Sequence, residues 1–185
     1  MLPSTGPSQP GPDQQGPAHL AASLPGANNR DGGGGQLQRE ADYRNMAIAL
    51  EEARLSLRER GIPIGAALCR GEEWVGRGHN RRVQLGNPVL HGEMDCLQNA
   101  GRLGSYKGLT MYSTLMPCYM CAGTIVQFRI MRVVVGESAS FAGARDLMEA
   151  HGVEVVDLGM PECSQIMQSF IDANRVLWAE DIGEL

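Results

Sequence analysis

Residues 91–121 read HGEMDCLQNAGRLGSYKGLTMYSTLMPCYMC, and this stretch decides the fold that the whole sequence predicts. The segment from His91 to about Ala100 is predicted to be a helix, and the run LTMYST at 109–114 a strand. A second helix is predicted from Cys118 to about Phe128. Helices that alternate with strands are typical of α/β proteins, in which the helices cover a sheet.

The alternation continues upstream of this stretch. A helix is predicted from about Leu37 to Arg60, because apolar residues recur along it with helical spacing. IPIGAALCR at 62–70, followed by GEEW at 71–74 and VGRGHN at 75–80, is predicted to form two strands joined by a tight turn, a hairpin. The apolar stripe of the first helix consists of Met46, Leu50, Ala53 and Leu57.

Downstream, two further strands alternate with helices. The strands are MRVVVG at 131–136 and VEVVDL at 153–158, and the helices are predicted at about 144–150 and 161–173. Connections of this kind favour parallel strands with helices on both faces. The sequence therefore predicts an α/β fold, a three-layer α/β/α sandwich with a five-stranded mixed, largely parallel sheet.

The two ends of the chain differ in composition. Residues 1–36 contain most of the chain's prolines, end in a run of glycines and show no hydrophobic period. Such a segment buries too little apolar surface to offset the entropy of ordering. We expect a disordered tail over 1–36 and one packed domain over 37–185, which suits a chain of 185 residues.

Charge and cysteine content narrow the class of protein. The formal net charge is -5, whereas nucleic-acid-binding surfaces are usually basic, so we expect no nucleic-acid partner. No apolar run is long enough to span a membrane, so we expect no membrane partner. Five cysteines, an odd number with one C-x-x-C pair, indicate reduced thiols and hence the cytoplasm, with the nucleus also open.

One group of residues indicates a metal. Cys118 and Cys121 lie three apart at a predicted helix start, so both sulfurs can face one ion, and Pro117 suits the first helical position. His91, at the start of another helix, would be the third ligand. Two thiolates and an imidazole suit one Zn²⁺ ion per chain, and three protein ligands leave a position open for water, as catalytic sites do. Zinc lowers the pKa of bound water to about 7.

Glu93 is the candidate for proton transfer beside that metal. Residues i and i+2 of a regular helix do not face each other, so a helical wheel separates Glu93 from His91. The two side chains can converge only if the helix points end-on at the metal. The pattern H-x-E with P-C-x-x-C is nevertheless the signature of zinc-dependent nucleobase deaminases.

Six motifs together resemble yeast-type cytosine deaminase, a family of the zinc-dependent cytidine/deoxycytidylate deaminase superfamily. The resemblance covers about Met46 to Glu184 and implies a cytidine deaminase-like fold and a homodimer. It also implies hydrolysis of free cytosine to uracil and ammonia in pyrimidine salvage, with Glu93 as the proton shuttle. The motifs are GRGHN (76–80), HGEMD (91–95), NAGRL (99–103), PCYMC (117–121), VVVGE (133–137) and WAEDIGE (178–184).

The resemblance also implies a substrate pocket. Asn80 would orient the base, the Gly92 amide would contact its carbonyl, and Asp181 would accept from a donor on its edge. The segment 178–185 would cover the pocket as a lid. Met116 departs from the family, which often has Ser there; the change is mild if only the main-chain carbonyl is used, and alters the pocket otherwise. The apolar walls would be Ile64, Phe141 and Trp178.

Other interpretations stay open at this point. Asn80 could stabilise a turn, Asp181 could be a solvated surface group, and Phe141 and Trp178 could belong to the core. A tRNA adenosine deaminase or another nucleoside deaminase would share the zinc motifs. A non-enzymatic interaction protein stabilised by zinc would also keep them, although it would not require Glu93.

Overall fold

A computed structural model describes residues 32–184, and its elements follow the predicted alternation. No helix among these residues combines the length and the apolar character that crossing a membrane requires. Two elements were not predicted, α2 and α7. The elements in chain order are α1 (Gly32–Arg58), β1 (Gly65–Arg70), β2 (Glu73–His79), α2 (Arg82–Leu85), α3 (Gly92–Ala100), β3 (Thr110–Leu115), α4 (Tyr119–Gln127), β4 (Arg132–Glu137), α5 (Arg145–Ala150), β5 (Glu154–Asp157), α6 (Pro161–Ala173) and α7 (Arg175–Ile182).

The start of α1 corrects one predicted boundary. Residues 32–36, which were predicted to belong to the disordered tail, form the beginning of this helix. Glycine has a low helix propensity, so DGGGG carried no helical signal in the sequence. Residues 34–36 are exposed and extend the helix without adding to the core. The rest of the predicted tail, residues 1–31, lies outside the described residues.

The sheet has five strands in the order β2-β1-β3-β4-β5. Strand β1 is antiparallel to both of its neighbours, whereas β3, β4 and β5 pair in parallel. Four strands therefore run in one direction and β1 alone runs in the other. The predicted mixed, five-stranded α/β sheet is confirmed.

Alternating residues of the central strands point to two different helical layers. On β1, Ala66 and Leu68 pack with residues of α3, α4 and α5, while Ala67 and Cys69 pack with residues of α1 and α6. All four side chains are fully buried. This period of two produces the predicted three-layer α/β/α sandwich.

The apolar stripe of α1 is confirmed except at its end. Met46, Leu50 and Ala53 are buried, but Leu57 is 44% exposed. The core at the end of α1 is closed instead by Ser56, whose hydroxyl lies 2.7 Å from the carbonyl oxygen of Ile62 and 2.9 Å from that of Asn80. The prediction that Leu57 belongs to the buried stripe is therefore wrong.

Two glycines let helices approach the β1–β2 hairpin at backbone distance. A Cβ atom at Gly65 would lie 2.1 Å from the carbonyl oxygen of Ala49 in α1. A Cβ atom at Gly78 would lie 2.5 Å from the amide nitrogen of Cys96 in α3. These contacts leave no room for any other residue and fix the strand ends against both helical layers.

Candidate metal and active site

The predicted site residues come together at one edge of the sheet. Strands β2, β3 and β4 end at this edge, and β1 begins there because it runs in the opposite direction. Asn80 therefore follows β2, Ile64 precedes β1, Cys118 follows β3 and Phe141 follows β4. The carboxyl ends of strands are the usual place for a ligand crevice in α/β proteins.

His91, Cys118 and Cys121 form a cluster of possible metal ligands. Their donor atoms all lie within 4.8 Å of one another, and Cys118 Sγ is 3.6 Å from His91 Nδ1. His91 and Cys118 occupy the N-cap positions of α3 and α4. Because Cys118 has the extended conformation of a cap, Pro117 precedes the cap, and its predicted place at the first helical position is wrong.

The cluster suits zinc by its donors and its spacing. Zinc binds imidazole nitrogen at about 2.0–2.1 Å and thiolate sulfur at about 2.3 Å, so a tetrahedral ion separates the two donors by about 3.5 Å. The distance of 3.6 Å between Cys118 Sγ and His91 Nδ1 agrees with that value. Neither His91 nor Cys118 uses its side chain to cap its helix, so both donors can face an ion.

Local electrostatics prepare a thiolate at this cluster. The hydrogen bond from Cys121, together with that from His91, lowers the pKa of the Cys118 thiol to about 4 despite its partial burial. Burial lowers the pKa of His91, but the hydrogen bond with Cys118 and the charge of Asp181 outweigh it, so that pKa is raised. Binding a metal here releases the remaining thiol proton.

Glu93 lies in the first turn of α3 and is only 4% exposed. The hydroxyl of Ser113 in β3 donates to its Oε1 at 3.0 Å. Burial raises the pKa of the Glu93 carboxyl, and the negative charge of Cys118 raises it further. A carboxyl group with a raised pKa in a closed site suits proton transfer near neutral pH.

His91 and Glu93 line one cavity despite their spacing of two residues. His91 has an extended backbone as the N-cap, whereas Glu93 is already helical. The helical-wheel objection therefore does not apply, since only one of the two residues belongs to the helix. Both side chains at the start of α3 therefore reach the same cavity, as the pair requires.

The cavity is small, with a volume of about 20 Å³, and its walls are mostly apolar. Trp178, Asp181 and Ile182 reach it from α7, since residues three and four apart share a helix face. Phe141 and Trp178 form an edge-to-face pair with ring centroids 6.1 Å apart. The sequence did not indicate Leu115 or Ile182. The apolar lining residues are Ile64, Leu115, Met116, Phe141, Trp178 and Ile182.

Asn80 and Asp181 contact each other beside this cavity. Asn80 Nδ2 donates to Asp181 Oδ1 at 3.3 Å, and Asn80 Oδ1 accepts from the backbone amide of Arg82 at 3.1 Å. Asn80 thus also stabilises the turn, as its alternative interpretation held. The Asp181 side chain is only 4% exposed, so it is not a solvated surface group.

Gly92 and Arg82 complete the polar surroundings. Gly92 is buried, and a Cβ atom there would lie 3.2 Å from the carbonyl oxygen of Ile64, so its backbone packs against the start of β1. The guanidinium of Arg82 donates to Asp181 Oδ1 at 2.6 Å. Sequence patterns did not indicate Arg82, because its partner lies 99 positions away in the chain.

Comparison with known proteins places these features in one family. Residues 39–137 match the family of the cytidine and deoxycytidylate deaminase zinc-binding region. A cytosine deaminase of Candida albicans is 45% identical over 146 residues, which cover 77% of this chain and 97% of that protein. A tRNA-specific adenosine deaminase of Streptococcus pyogenes serotype M18 is 36% identical over 142 residues, which cover 70% of this chain and 89% of that protein.

Solved structures are similar as well. A tRNA:A34 deaminase that edits the wobble position of transfer RNA superimposes with a TM-score of 0.62 and 30% identity, covering 67% of this chain and 99% of that one. A guanine deaminase from Nitrosomonas europaea gives a TM-score of 0.58 at 20% identity, with 68% and 82% coverage. The second similarity concerns the fold alone.

Proposed function

This chain belongs to the cytidine and deoxycytidylate deaminase family, and from this membership we propose that it hydrolyses free cytosine to uracil and ammonia. The observation that carries the proposal is the buried Glu93 carboxyl, which lines one cavity with His91 and Cys118. The 45% identity with a cytosine deaminase selects the substrate among the nucleobases.

His91, Cys118 and Cys121 would hold one zinc ion. Zinc supplies a lowered water pKa, and hence a nucleophile for C4 of cytosine at neutral pH. Glu93 takes a proton from the attacking water and delivers it to the ring nitrogen N3. It then transfers the proton of the new hydroxyl group to the amine, which leaves as ammonia. The hydrogen bond from Ser113 holds the Glu93 carboxyl in one orientation between these transfers.

The polar residues beside the cavity would recognise the base. In this proposal Asn80 and the Gly92 amide contact the carbonyl side of cytosine, and Asp181 accepts a hydrogen bond from a ring N–H. The aromatic rings of Phe141 and Trp178 enclose the flat faces and edge of the base. Their edge-to-face arrangement and the burial of Trp178 support a pocket built for a planar ring.

The helix α7 supports a preference for the free base over a nucleoside. It covers the cavity with Trp178 and Ile182 and brings Asp181 close to His91, with 3.8 Å between Oδ1 and Nε2. A ribose on the ring would need an opening where α7 lies. A tRNA adenosine deaminase, the alternative that the relatives in Streptococcus pyogenes raise, would need a larger one.

Ammonia release from three substrates tests the proposal. The zinc-loaded protein is incubated with cytosine, cytidine and an adenosine-containing tRNA anticodon stem-loop, and metal content is measured in the same preparation. We expect turnover of cytosine far above that of the other two and about one zinc per chain. Equal turnover of cytosine and cytidine would refute the free-base assignment. Turnover of the RNA alone would favour the adenosine deaminase. No turnover of any of the three substrates would favour the non-enzymatic alternative.

A homodimer is the second part of the proposal. An apolar groove between α3 and α4 is left uncovered by the rest of residues 32–184, and it contains the stacked rings of Tyr106 and Phe128, with centroids 4.8 Å apart. Exposed apolar surface of this kind is typical of protein interfaces. Sedimentation equilibrium should give twice the chain mass, and Phe128→Glu should shift it toward the monomer. A wild-type protein that stays monomeric at micromolar concentration would contradict this part.

A further inference from the structure

Arg82 touches both polar side chains that are proposed to hold the base. Its backbone amide donates to Asn80 Oδ1 at 3.1 Å, and its guanidinium donates to Asp181 Oδ1 at 2.6 Å. The Arg82 side chain is 11% exposed and that of Asp181 is 4% exposed. The pair is therefore largely shielded from water. Charge-assisted hydrogen bonds are stronger in such a buried place than at the surface.

The guanidinium also ties two separate segments together. Arg82 NH2 lies 3.3 Å from Glu180 Oε1, so it contacts two successive carboxylates of α7. Arg82 Nε donates to the backbone carbonyl of Pro88 at 3.2 Å, within the loop that leads to α3. A planar guanidinium presents several donors in a fixed geometry, which a lysine ammonium does not.

The contacts divide the two oxygens of Asp181 between different partners. Within residues 32–184, Asn80 and Arg82 both donate to Oδ1, and His91 Nε2 is also nearest this atom, at 3.8 Å. Their placement leaves Oδ2 for a donor on the base. Rotation of the carboxylate would break the 2.6 Å contact with Arg82.

We propose that Arg82 is a positioning residue, which holds α7 over the cavity and orients Asp181 so that one oxygen faces the base. The inference rests on the proposed function for the identity of the base. It adds a residue that touches no reacting atom and acts only through Asp181 and Asn80. Without the Arg82 side chain, Asp181 keeps the hydrogen bond from Asn80 but loses its guanidinium partner and its fixed orientation.

Three variants test this role. Arg82→Ala removes the guanidinium, and Arg82→Lys keeps one charge but not the planar fork. Arg175→Ala is the matched control, because Arg175 is an exposed arginine on α7, the helix that Arg82 contacts. Each zinc-loaded protein is assayed for kcat and KM with cytosine, for zinc content and for Tm. Arg82→Ala is also assayed with added guanidinium chloride at concentrations that leave the wild-type protein folded.

We expect kcat/KM of Arg82→Ala to fall roughly 10- to 150-fold, the range for losing a hydrogen bond to a charged partner, mainly through a higher KM. Arg82→Lys should retain an intermediate value, and guanidinium should restore part of the activity of Arg82→Ala alone. Arg175→Ala should match the wild type. A kcat/KM of Arg82→Ala within twofold of the wild type would overturn the inference. If Arg82→Ala fails to fold, Arg82→Gln takes its place.

Hydrogen exchange separates this inference from the proposed function, because it needs no substrate. The amides of 175–182 should exchange faster in Arg82→Ala than in the wild type and in Arg175→Ala, while those of the sheet stay unchanged. If the wild type did not deaminate cytosine, the proposed function would fail. Faster exchange of α7 in Arg82→Ala would nevertheless still show that Arg82 holds this helix in place. Unchanged exchange would overturn it, whatever the substrate.

Discussion

Glu93→Gln tests the proton transfer with the least disturbance to the structure. Glutamine has nearly the shape of glutamate, and its amide oxygen can still accept the hydrogen bond that Ser113 Oγ makes at 3.0 Å. The ligand cluster is unchanged, so zinc content should stay equal to that of the wild type. The amide cannot take up and return protons, which should lower kcat by about 10²- to 10⁴-fold.

The stability difference between this variant and the wild type depends on pH. Burial raises the pKa of Glu93 above the ordinary 4.5, so the folded, metal-free wild type holds this proton more tightly than the unfolded chain does. Such a carboxyl group lowers the free energy of unfolding as the pH rises above about 4.5, and the loss is complete once the pH passes the pKa of Glu93 in the folded protein. Metal-free Glu93→Gln should therefore gain stability relative to the metal-free wild type over that range.

The assay combines steady-state ammonia release, zinc analysis and thermal unfolding of both proteins with and without metal. The control is Glu149→Gln, the same substitution at a surface carboxylate of α5 that is 48% exposed. It should leave all three measurements unchanged. A turnover of Glu93→Gln within tenfold of the wild type, at equal zinc content, would refute the role of Glu93 as the proton shuttle.

Three further predictions concern the ligands, the pocket and the core. Cys121→Ala should bind far less than one zinc and lose activity, as metal analysis would show, whereas near-full zinc content would contradict the ligand set. Asp181→Ala should keep zinc but lose about 5- to 150-fold in kcat/KM, because a donor on the base stays unpaired; unchanged kinetics would exclude its contact with the base. Arg132→Met should cost about 3–5 kcal/mol in urea unfolding, since the charge of Asp42, which is 2% exposed, loses its guanidinium partner. Burial raises the pKa of Asp42, but the hydrogen bonds from Arg132 and Tyr112 outweigh it and lower that pKa below 3.8. The stabilisation by Arg132 is therefore fully present above pH 3.8 and is lost as the pH falls through the pKa of Asp42 in the folded protein. A cost of Arg132→Met under 1 kcal/mol at pH 7 would contradict this prediction.

The fold could be predicted from the sequence where local patterns and packing agree. The helix at Pro161–Ala173 has the predicted bounds, because its apolar period and its proline at the first turn both indicate the same start. The strand LTMYST is likewise displaced by only one residue, since β3 is Thr110–Leu115. Local sequence patterns decide such elements, so no tertiary information is needed.

Helix α7 could not be predicted because its order depends on contacts with distant residues. The side chain of its cap residue, Asn174, makes no capping hydrogen bond, and Val176 is 73% exposed. Trp178 is buried among residues from distant parts of the chain, including Ile64 and Leu115. The reversed direction of β1 also follows from pairing across the sheet, which a local pattern does not encode.

The candidate site divides in the same way. His91, Cys118 and Cys121 could be predicted because their spacing encodes ligands at two helix starts. Ser113 and Arg82 could not, since each contacts its partner only through the folded chain, across 20 and 99 positions. Residues that contact the reacting groups thus carry a local signature, and residues that hold them do not.

The tight glycines of the hairpin bear on how saturation mutagenesis of this protein would be interpreted. Selection for cytosine turnover would score every substitution at Gly65 or Gly78 as severely as one at Glu93, although neither glycine lines the cavity. A map of fitness alone would therefore assign too many residues to the catalytic centre. Scoring cellular abundance in parallel would separate the two classes, because the glycine variants should disappear from both maps and the Glu93 variants from one.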